Sequence, residues 1–202
     1  MTISPDQVVN VLWLVWFISW TAAALWSSPA ERRPPRRSEA VYRVLTTGGA
    51  MMLLAPHPFW SWMGEVLWRP GTAVAWTLVA VTLCGLAFTW WARLALGRLW
   101  SGRVTRKADH EIVVAGPYRL VRHPIYSGLI LAVLAWAVMR GTVQVCIGAG
   151  LVMVGFFIKA RVEEQFLREE LGPQRYDSYA RRVPMLVPLR SFASSLGARR
   201  FW

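Results

Sequence analysis

Hydrophobic and charged positions are segregated along the chain into long blocks. Five stretches contain no Asp, Glu, Lys or Arg, namely 7–30, 44–64, 70–92, 124–139 and 141–158. A helix that crosses a bilayer needs about 20 apolar residues, and it satisfies its backbone hydrogen bonds internally, as lipid requires. The pattern predicts an all-α, polytopic membrane protein with five transmembrane helices, the last two forming a helical hairpin.

The composition agrees with this prediction. Of 202 residues, 55% are hydrophobic and only 17% are charged, and the mean hydropathy is +0.35. These values exclude a disordered, collagen-like or disulfide-stapled protein. The alternative is a soluble helical protein with an unusually large core. Cys84 and Cys146 lie inside predicted spans without a Cys-x-x-Cys spacing, so we expect no metal site.

The cations predict the orientation of the spans. If the amino terminus lies outside, 21 of the 23 Lys and Arg fall in the cytoplasmic loops and tail, and only Arg69 and Arg140 fall outside. The positive-inside rule therefore places the carboxyl terminus in the cytoplasm. The net charge of +12 is explained by this topology and by attraction to anionic lipid headgroups, so we expect no nucleic-acid partner.

The chain divides into two parts by its polar content. Residues 1–92 contain three spans without a polar cluster and are predicted to be a membrane anchor, whereas 93–202 form a candidate catalytic region within one structural domain. Gly116-Pro117 breaks the chain before the membrane, and Pro124 suits a first helical turn, so the fourth span is expected to begin near His123.

The last span is expected to continue into the cytoplasm as one helix from 141 to about 170, after a tight turn at Arg140-Gly141. On that helix Glu163 shares a face with Lys159, while Glu164 is expected to face Arg161 and Arg168. Gly172-Pro173 ends the helix. An amphipathic segment, 176–184, follows and is predicted to fold back as a lid.

Several motifs occur together in this second half. They are Gly116-Pro-Tyr118, Arg122-His123-Pro124-x-Tyr126-x-Gly128, Glu163-Glu164, Tyr176-x-x-Tyr179 and Arg182-Val-Pro184. In this order and spacing they resemble the isoprenylcysteine carboxyl methyltransferase (ICMT) family over roughly 97–188. The five-span count with a terminal hairpin is similar to its smaller prokaryotic members, which implies an integral protein of a bacterial or archaeal inner membrane.

The resemblance implies a methyltransferase that uses S-adenosylmethionine (SAM) in a cytoplasmic pocket. It implies cofactor contacts at Arg103, His110, Glu111, Ile112, Val113, Tyr118, His123, Pro124, Ile125, Tyr126 and Glu163. It also implies that a basic residue before the glutamates contacts the substrate carboxylate. Lys159 fits by offset and Arg161 by proximity, and both remain candidates.

The chemistry of the residues supports a site for this cofactor. Tyrosine ring faces attract a sulfonium, Glu163 suits the ammonium, and Arg122 or His123 suits the carboxylate. A carboxylate substrate needs no base. An amine or thiol substrate would require one, and His123 or Glu164 is the candidate. The expected reaction is O-methylation of an isoprenyl-type carboxylate, with a prenylated or other lipophilic substrate and membrane lipids as partners.

Other readings stay open at this level. Phospholipid amines and small thiols are alternative methyl acceptors in the same fold. A membrane reductase of sterol or isoprenoid double bonds has a similar carboxyl-terminal half but uses NADPH and generally more spans. A third reading is a non-enzymatic scaffold. Taken singly, each motif also has a simpler explanation, such as a basic membrane boundary, a solvated helix end or interfacial tyrosines.

Overall fold

The computed structural model describes residues 3–25, 36–55, 57–97 and 114–188. These ranges are helical throughout, apart from an isolated bridge between Val66 and Thr142 and short connecting segments. The described ranges contain six α-helices: α1 (Pro5–Ala24), α2 (Arg36–Leu54), α3 (Thr72–Leu96), α4 (Pro124–Arg140), α5 (Val143–Leu171) and α6 (Pro173–Arg182). Two short 3₁₀ helices lie at Ser61–Gly64 and Gly116–Arg119.

Three of the described helices are long and apolar enough to cross a membrane: Pro5–Ala24, Thr72–Leu96 and Val143–Glu170. Helix α4 is apolar but shorter, with 17 residues. The prediction of a helical membrane protein is confirmed in this coarser form, and the count of five spans stays a prediction. Helix α2 begins earlier and ends earlier than the uncharged window 44–64. It stops at Leu54 because Ala55 precedes Pro56, and a residue before proline disfavours helical geometry.

The helix boundaries of the terminal hairpin agree with their local signals. Helix α4 starts at Pro124, with His123 as the N-cap residue. Gly141 closes the turn in the left-handed region at φ +60°, and a Cβ there would lie 2.2 Å from the Trp68 carbonyl oxygen. Helix α5 then runs unbroken for 29 residues before Gly172 and Pro173. The predicted start, turn and long final helix are confirmed.

Glycines allow the helices to pack closely in two pairs. In the α3–α4 pair, a Cβ on Gly128 would lie 2.5 Å from the carbonyl oxygen of Gly85. In the α2–α5 pair, Gly49 meets Gly148, and a Cβ on Gly155 would lie 2.6 Å from the Thr46 side chain. Small residues at such crossings let backbones approach within membranes. Each helix of the hairpin is therefore held against a helix from the amino-terminal half.

The segment after α5 folds back over the start of α4. Tyr179 on α6 donates a hydrogen bond from its hydroxyl to the Tyr118 carbonyl oxygen at 2.8 Å. Beyond α6, the carbonyl oxygens of Pro184 and Met185 accept hydrogen bonds from the backbone N–H groups of Arg122 and His123. These contacts satisfy donors next to the amino end of α4, where backbone N–H groups lack helical partners.

Candidate functional site

Two carboxylates from α5 meet the residues at the start of α4. His123 lies between them, with Nδ1 3.4 Å from Glu163 Oε2 and Nε2 3.3 Å from Glu164 Oε1. The Tyr126 hydroxyl donates a hydrogen bond to Glu163 Oε1 at 2.5 Å. His123 and Tyr126 are buried, whereas Glu163 retains 19% side-chain exposure. We call these four residues the carboxylate cluster; it joins two motifs that are about 40 positions apart in the chain.

Arg122 connects the cluster to α6. Its guanidinium donates from Nε to Glu164 Oε1 at 2.7 Å, and Nη2 lies 2.6 Å from the same oxygen. Its Nη1 donates to the carbonyl oxygens of Ala180 and Val183. Since these groups are all within the protein, Arg122 positions Glu164 and the end of α6. Its expected contact with the carboxylate of a cofactor stays a prediction.

Aromatic rings line one side of the cluster. The His123 and Tyr126 rings are stacked with centroids 5.5 Å apart, and Phe156 stacks on the other side of Tyr126 at 5.2 Å. The Lys159 ammonium lies over the ring of Tyr126, 5.2 Å from its centroid, and 5.7 Å from the centroid of Tyr42. This side of the cluster therefore already accommodates a cation against aromatic faces.

The environment of His123 favours its protonated form. Burial of the imidazole acts against protonation, but the hydrogen bonds to Glu163 and Glu164 outweigh burial and raise the pKa of His123 above its usual 6.5. Both ring nitrogens face carboxylate oxygens, and only the imidazolium can donate from both. The two carboxylates therefore favour the imidazolium form of His123 over the neutral ring.

This charge predicts a pH-dependent contribution to stability. Because the folded-state pKa of His123 is raised above the unfolded value, its contribution is complete below about pH 6.5 and is lost as pH rises through the folded-state pKa. The melting temperature of the native protein in detergent, compared with that of His123→Gln, should show the largest difference near pH 6. The difference should shrink toward pH 9, since the free energy of unfolding that His123 contributes falls by about 1.4 kcal/mol for each unit by which its pKa is raised. A difference that grows over this range would contradict the assignment.

The other predicted site residues lie at different distances from the cluster. Tyr118 and Pro124 are buried beside it, Ile125 is half-buried, and burial raises the pKa of Tyr118 so that its phenol stays neutral. Of the two basic candidates, Lys159 contacts Tyr126 and the Arg161 side chain is exposed. Outside the described residues lie Arg103, His110, Glu111, Ile112 and Val113.

Glu164 has different partners from those that helical spacing predicts. The expected neighbours were Arg161 and Arg168, but Glu164 bonds to Arg122 and His123, which lie just before α4, and Arg168 pairs with Asp177 of α6 at 3.0 Å. That expectation is wrong because the segment before α4 places Arg122 and His123 against the inner face of α5. Pairs between exposed residues on one helix surface contribute only a few tenths of a kcal/mol, and tertiary partners replace them.

A cavity lies next to the cluster, between α1, α2, α4 and α5. Its volume is about 930 Å³, and we call it the interhelical cavity. Its walls are mostly apolar and include Phe156, Val133 and Trp136. Phe156 belongs both to this wall and to the ring stack on Tyr126, so the cavity approaches the carboxylate cluster from the side of the helices.

The segments that build the cluster are also those that other proteins share. Residues 78–169 match the family described as the isoprenylcysteine carboxyl methyltransferase (ICMT) family. This part of the chain is similar to the ICMT family. The matched region contains α4 and nearly all of α5, and therefore every member of the carboxylate cluster.

Similar proteins with curated names include members of this ICMT family. Protein-S-isoprenylcysteine O-methyltransferase B of Arabidopsis thaliana is 28% identical over 135 residues, which cover 63% of this chain and 68% of the relative. Methanethiol S-methyltransferase 1 of Bradyrhizobium diazoefficiens is 29% identical over 150 residues, 65% of this chain and 50% of the relative. Nickel-cobalt-cadmium resistance protein NccN of Alcaligenes xylosoxydans xylosoxydans is 24% identical over 181 residues, 88% and 77% of the two chains. The chain thus spans only half of the methanethiol enzyme.

Together, the family match, these relatives and the long apolar helices support a membrane methyltransferase. The reductase alternative is not favoured. The resemblance that the motifs indicated is therefore confirmed at the level of the ICMT family.

Sequence reasoning missed the contribution of α2 to the site. Tyr42 is buried under the Lys159 ammonium, although it belongs to the part of the chain that was predicted to be an anchor. Glu39, one helical turn earlier, is also buried and pairs with Arg43. The available signal was the polar group Glu39, Tyr42 and Arg43 at the end of an apolar span. Phe156 gave no signal, since it is one apolar residue among many.

Proposed function

We propose that this protein is a SAM-dependent methyltransferase that acts on a lipophilic substrate by O-methylation of an isoprenyl-type carboxylate. The carboxylate cluster is the observation that carries the proposal. It joins His123 and Tyr126, at the start of α4, to Glu163 and Glu164 in the last third of α5. The family match to this region supports methyl transfer as the chemistry.

The residues present suit the cationic parts of the cofactor. SAM supplies a methyl group on a sulfonium, and transfer of that methyl group removes the positive charge. The Lys159 ammonium over the ring of Tyr126 shows that an aromatic ring at this position attracts a positively charged group. Glu163 is the carboxylate of the cluster with the larger exposed fraction and is the acceptor for the ammonium.

Surrounding contacts give the other residues supporting roles. Arg122 and His123 hold Glu164, and Glu164 in turn holds the His123 ring in place beside Tyr126. Phe156 covers the far face of Tyr126 and excludes water there. Alignment of reacting groups and exclusion of water supply much of the rate enhancement in a direct displacement of this type.

The contacts of His123 bear on the class of substrate. An amine or thiol must lose a proton, but both ring nitrogens of His123 already face carboxylate oxygens, so neither is open to accept one. Glu164 is engaged by Arg122 and His123. A carboxylate is ionised at neutral pH and needs no base, so it fits this cluster better. Lys159 is the candidate cation for that carboxylate, with Arg161 as the alternative from the sequence.

Calorimetry of the purified full chain tests the cofactor assignment. We expect binding of S-adenosylhomocysteine (SAH) with a Kd in the micromolar range or below, and no binding of NADPH under the same conditions. Methyl transfer from SAM should then be compared among an isoprenylcysteine carboxylate, a long-chain amine and methanethiol, and the carboxylate should react fastest. Absence of SAH binding rejects the proposed cofactor, and faster reaction of the thiol or amine rejects the proposed substrate class.

The proposal also includes the orientation of the chain in the membrane and the roles of residues 1–92 and 93–202. The 21 to 2 distribution of cations supports a cytoplasmic carboxyl terminus and hence cofactor access from that side. Within 93–202 lie all the members of the carboxylate cluster. Residues 1–92 provide the packing partners α2 and α3, and Tyr42 of α2 lies against Lys159.

A further inference from the structure

The Lys159 side chain lies between two aromatic rings that belong to different helices. Its ammonium is 5.7 Å from the centroid of the Tyr42 ring on α2 and 5.2 Å from that of the Tyr126 ring on α4. We call these two tyrosines the ring pair. Both are buried, at 3% and 8% exposure, so the surrounding packing holds the rings in place. Two fixed ring faces therefore restrict where the charged end of this long side chain lies.

The close crossing of α2 and α5 brings Tyr42 to this place. One helical turn before Lys159, a Cβ on Gly155 would lie 2.6 Å from the Thr46 side chain and 3.2 Å from the Tyr42 carbonyl oxygen. The Thr46 hydroxyl donates a hydrogen bond to that carbonyl oxygen at 2.7 Å. Because Gly155 has no side chain, α2 approaches α5 closely enough for the ring of Tyr42 to reach the ammonium. Backbone packing thus fixes the position of this ring.

The charged groups near the ring pair have partners of their own. On α2, Glu39 is buried and pairs with Arg43. On α5, the two carboxylate oxygens of Glu163 face the Tyr126 hydroxyl and His123 Nδ1. The part of α2 that reaches this site therefore adds an aromatic ring and a neutral ion pair. Its contribution is the position of the ammonium, with no change in the net charge of the site.

We propose that Tyr42 is a positioning residue for the methyl acceptor: its ring holds the Lys159 ammonium against Tyr126, where the ammonium meets the carboxylate of the acceptor. This inference rests on the proposed function, in which Lys159 is the cation for that carboxylate. Lys159 is partly exposed. Without the ring of Tyr42, its four-carbon side chain gains rotational freedom, which the acceptor must then remove on binding at a cost in conformational entropy.

A purely structural role for Tyr42 predicts a different result. Burial of an aromatic side chain stabilises a protein whether or not a cation lies beside it. Loss of that burial would lower Tm but would leave the discrimination between charged and neutral acceptors unchanged. Positioning of Lys159 instead links the ring to recognition of the charge. Phenylalanine offers the same ring face, whereas leucine is apolar without one.

Equilibrium binding of two probes to the purified full chain in nanodiscs tests the proposal. The probes are an isoprenylcysteine carboxylate and its methyl ester, which carry the same isoprenyl chain, but only the first is charged. We expect the native protein to bind the carboxylate about tenfold more tightly than the ester. Tyr42→Leu should reduce this ratio about fivefold, as loss of one cation–π contact predicts, and Tyr42→Phe should preserve it.

Two further variants show whether the ring acts through the cation. In Lys159→Met the ratio should be near one, and adding Tyr42→Leu should change nothing further, since no cation remains to be positioned. Replacement of Tyr42 by pentafluorophenylalanine keeps a ring of similar size but removes its attraction for cations. It should lower the ratio as leucine does, and it decides the question if the leucine variant does not fold.

Leu86→Ala is the control for loss of packing. Leu86 is buried on α3, outside the ring pair and the lining of the interhelical cavity. Its replacement should lower Tm by several degrees and leave the ratio unchanged. A native ratio that Tyr42→Leu does not alter, or that Leu86→Ala lowers equally, overturns the positioning role and leaves the proposed function standing. A native ratio of one rejects the carboxylate contact of Lys159 in the proposed function, and the positioning role fails with it.

Discussion

Glu163→Ala is expected to lower the affinity for SAH by about a hundredfold, because it removes a charged acceptor from the carboxylate cluster. In the folded protein this carboxylate accepts from Tyr126 and faces His123 Nδ1. Its removal leaves the ammonium of the ligand without a counterion in a partly buried site. Isothermal calorimetry with the native protein and the variant in the same detergent measures the change.

Glu169→Ala is the matched control for this result. Glu169 lies on the same helix, six positions later, but it is exposed and its side chain contacts Gln165. We expect its SAH affinity to equal that of the native chain. Glu169→Ala should retain the melting temperature of the native protein, whereas Glu163→Ala should lower it, because Tyr126 and His123 lose an acceptor; binding is therefore measured at a temperature at which both variants are folded. Native-like SAH binding by a folded Glu163→Ala protein would remove Glu163 from the cofactor site.

Gly128→Ala is expected to destabilise the protein by about 3 kcal/mol, the upper part of the range for overpacking in a close-packed interior. The added Cβ would lie 2.5 Å from the Gly85 carbonyl oxygen and 2.8 Å from a Thr89 methyl group. A backbone oxygen cannot move aside as a flexible side chain does, so α3 and α4 must separate. Thermal unfolding in detergent should show a decrease in Tm of about 10 °C.

Gly150→Ala tests whether glycine replacement as such causes this loss. Gly150 is also within a helix, but no atom lies within 4 Å of its added Cβ. Since alanine has the higher helix propensity, we expect Tm to stay the same or to rise slightly. Equal destabilisation by the two substitutions would show that the α3–α4 contact is not the cause. Helix packing thus explains Gly128, the glycine of the His-Pro-x-Tyr-x-Gly motif. The other residues of that motif include members of the carboxylate cluster.

The local features of the terminal hairpin could be predicted from the sequence because each depends on a few adjacent residues. Pro124 suits the first turn of α4, Gly141 permits the left-handed turn, and Gly172 with Pro173 ends α5. The second predicted span was less accurate. Its hydrophobic window extended to Gly64, but α2 ends at Leu54, because the prolines that follow oppose a helix more strongly than apolar composition favours one.

Partners from distant helices were beyond prediction from spacing alone. Helical periodicity correctly placed Glu163 and Glu164 at the end of the last span, but it paired Glu164 with cations of its own helix. The observed partners are Arg122 and His123, and Tyr42 approaches Lys159 from α2. Periodicity specifies which face of a helix a residue occupies. It does not specify which helix covers that face.

The sequence alone indicated the membrane character of the chain, the boundaries of α4 and α5, and the similarity of residues 78–169 to a methyltransferase family. These properties follow from composition and from motifs of a few residues each. The tertiary structure decided that His123 lies between two carboxylates, that Arg122 supports α6, and that α2 contributes Tyr42. The physical reason is that these contacts depend on how closely glycine-lined helices approach one another, and hence on which side chains they bring within reach.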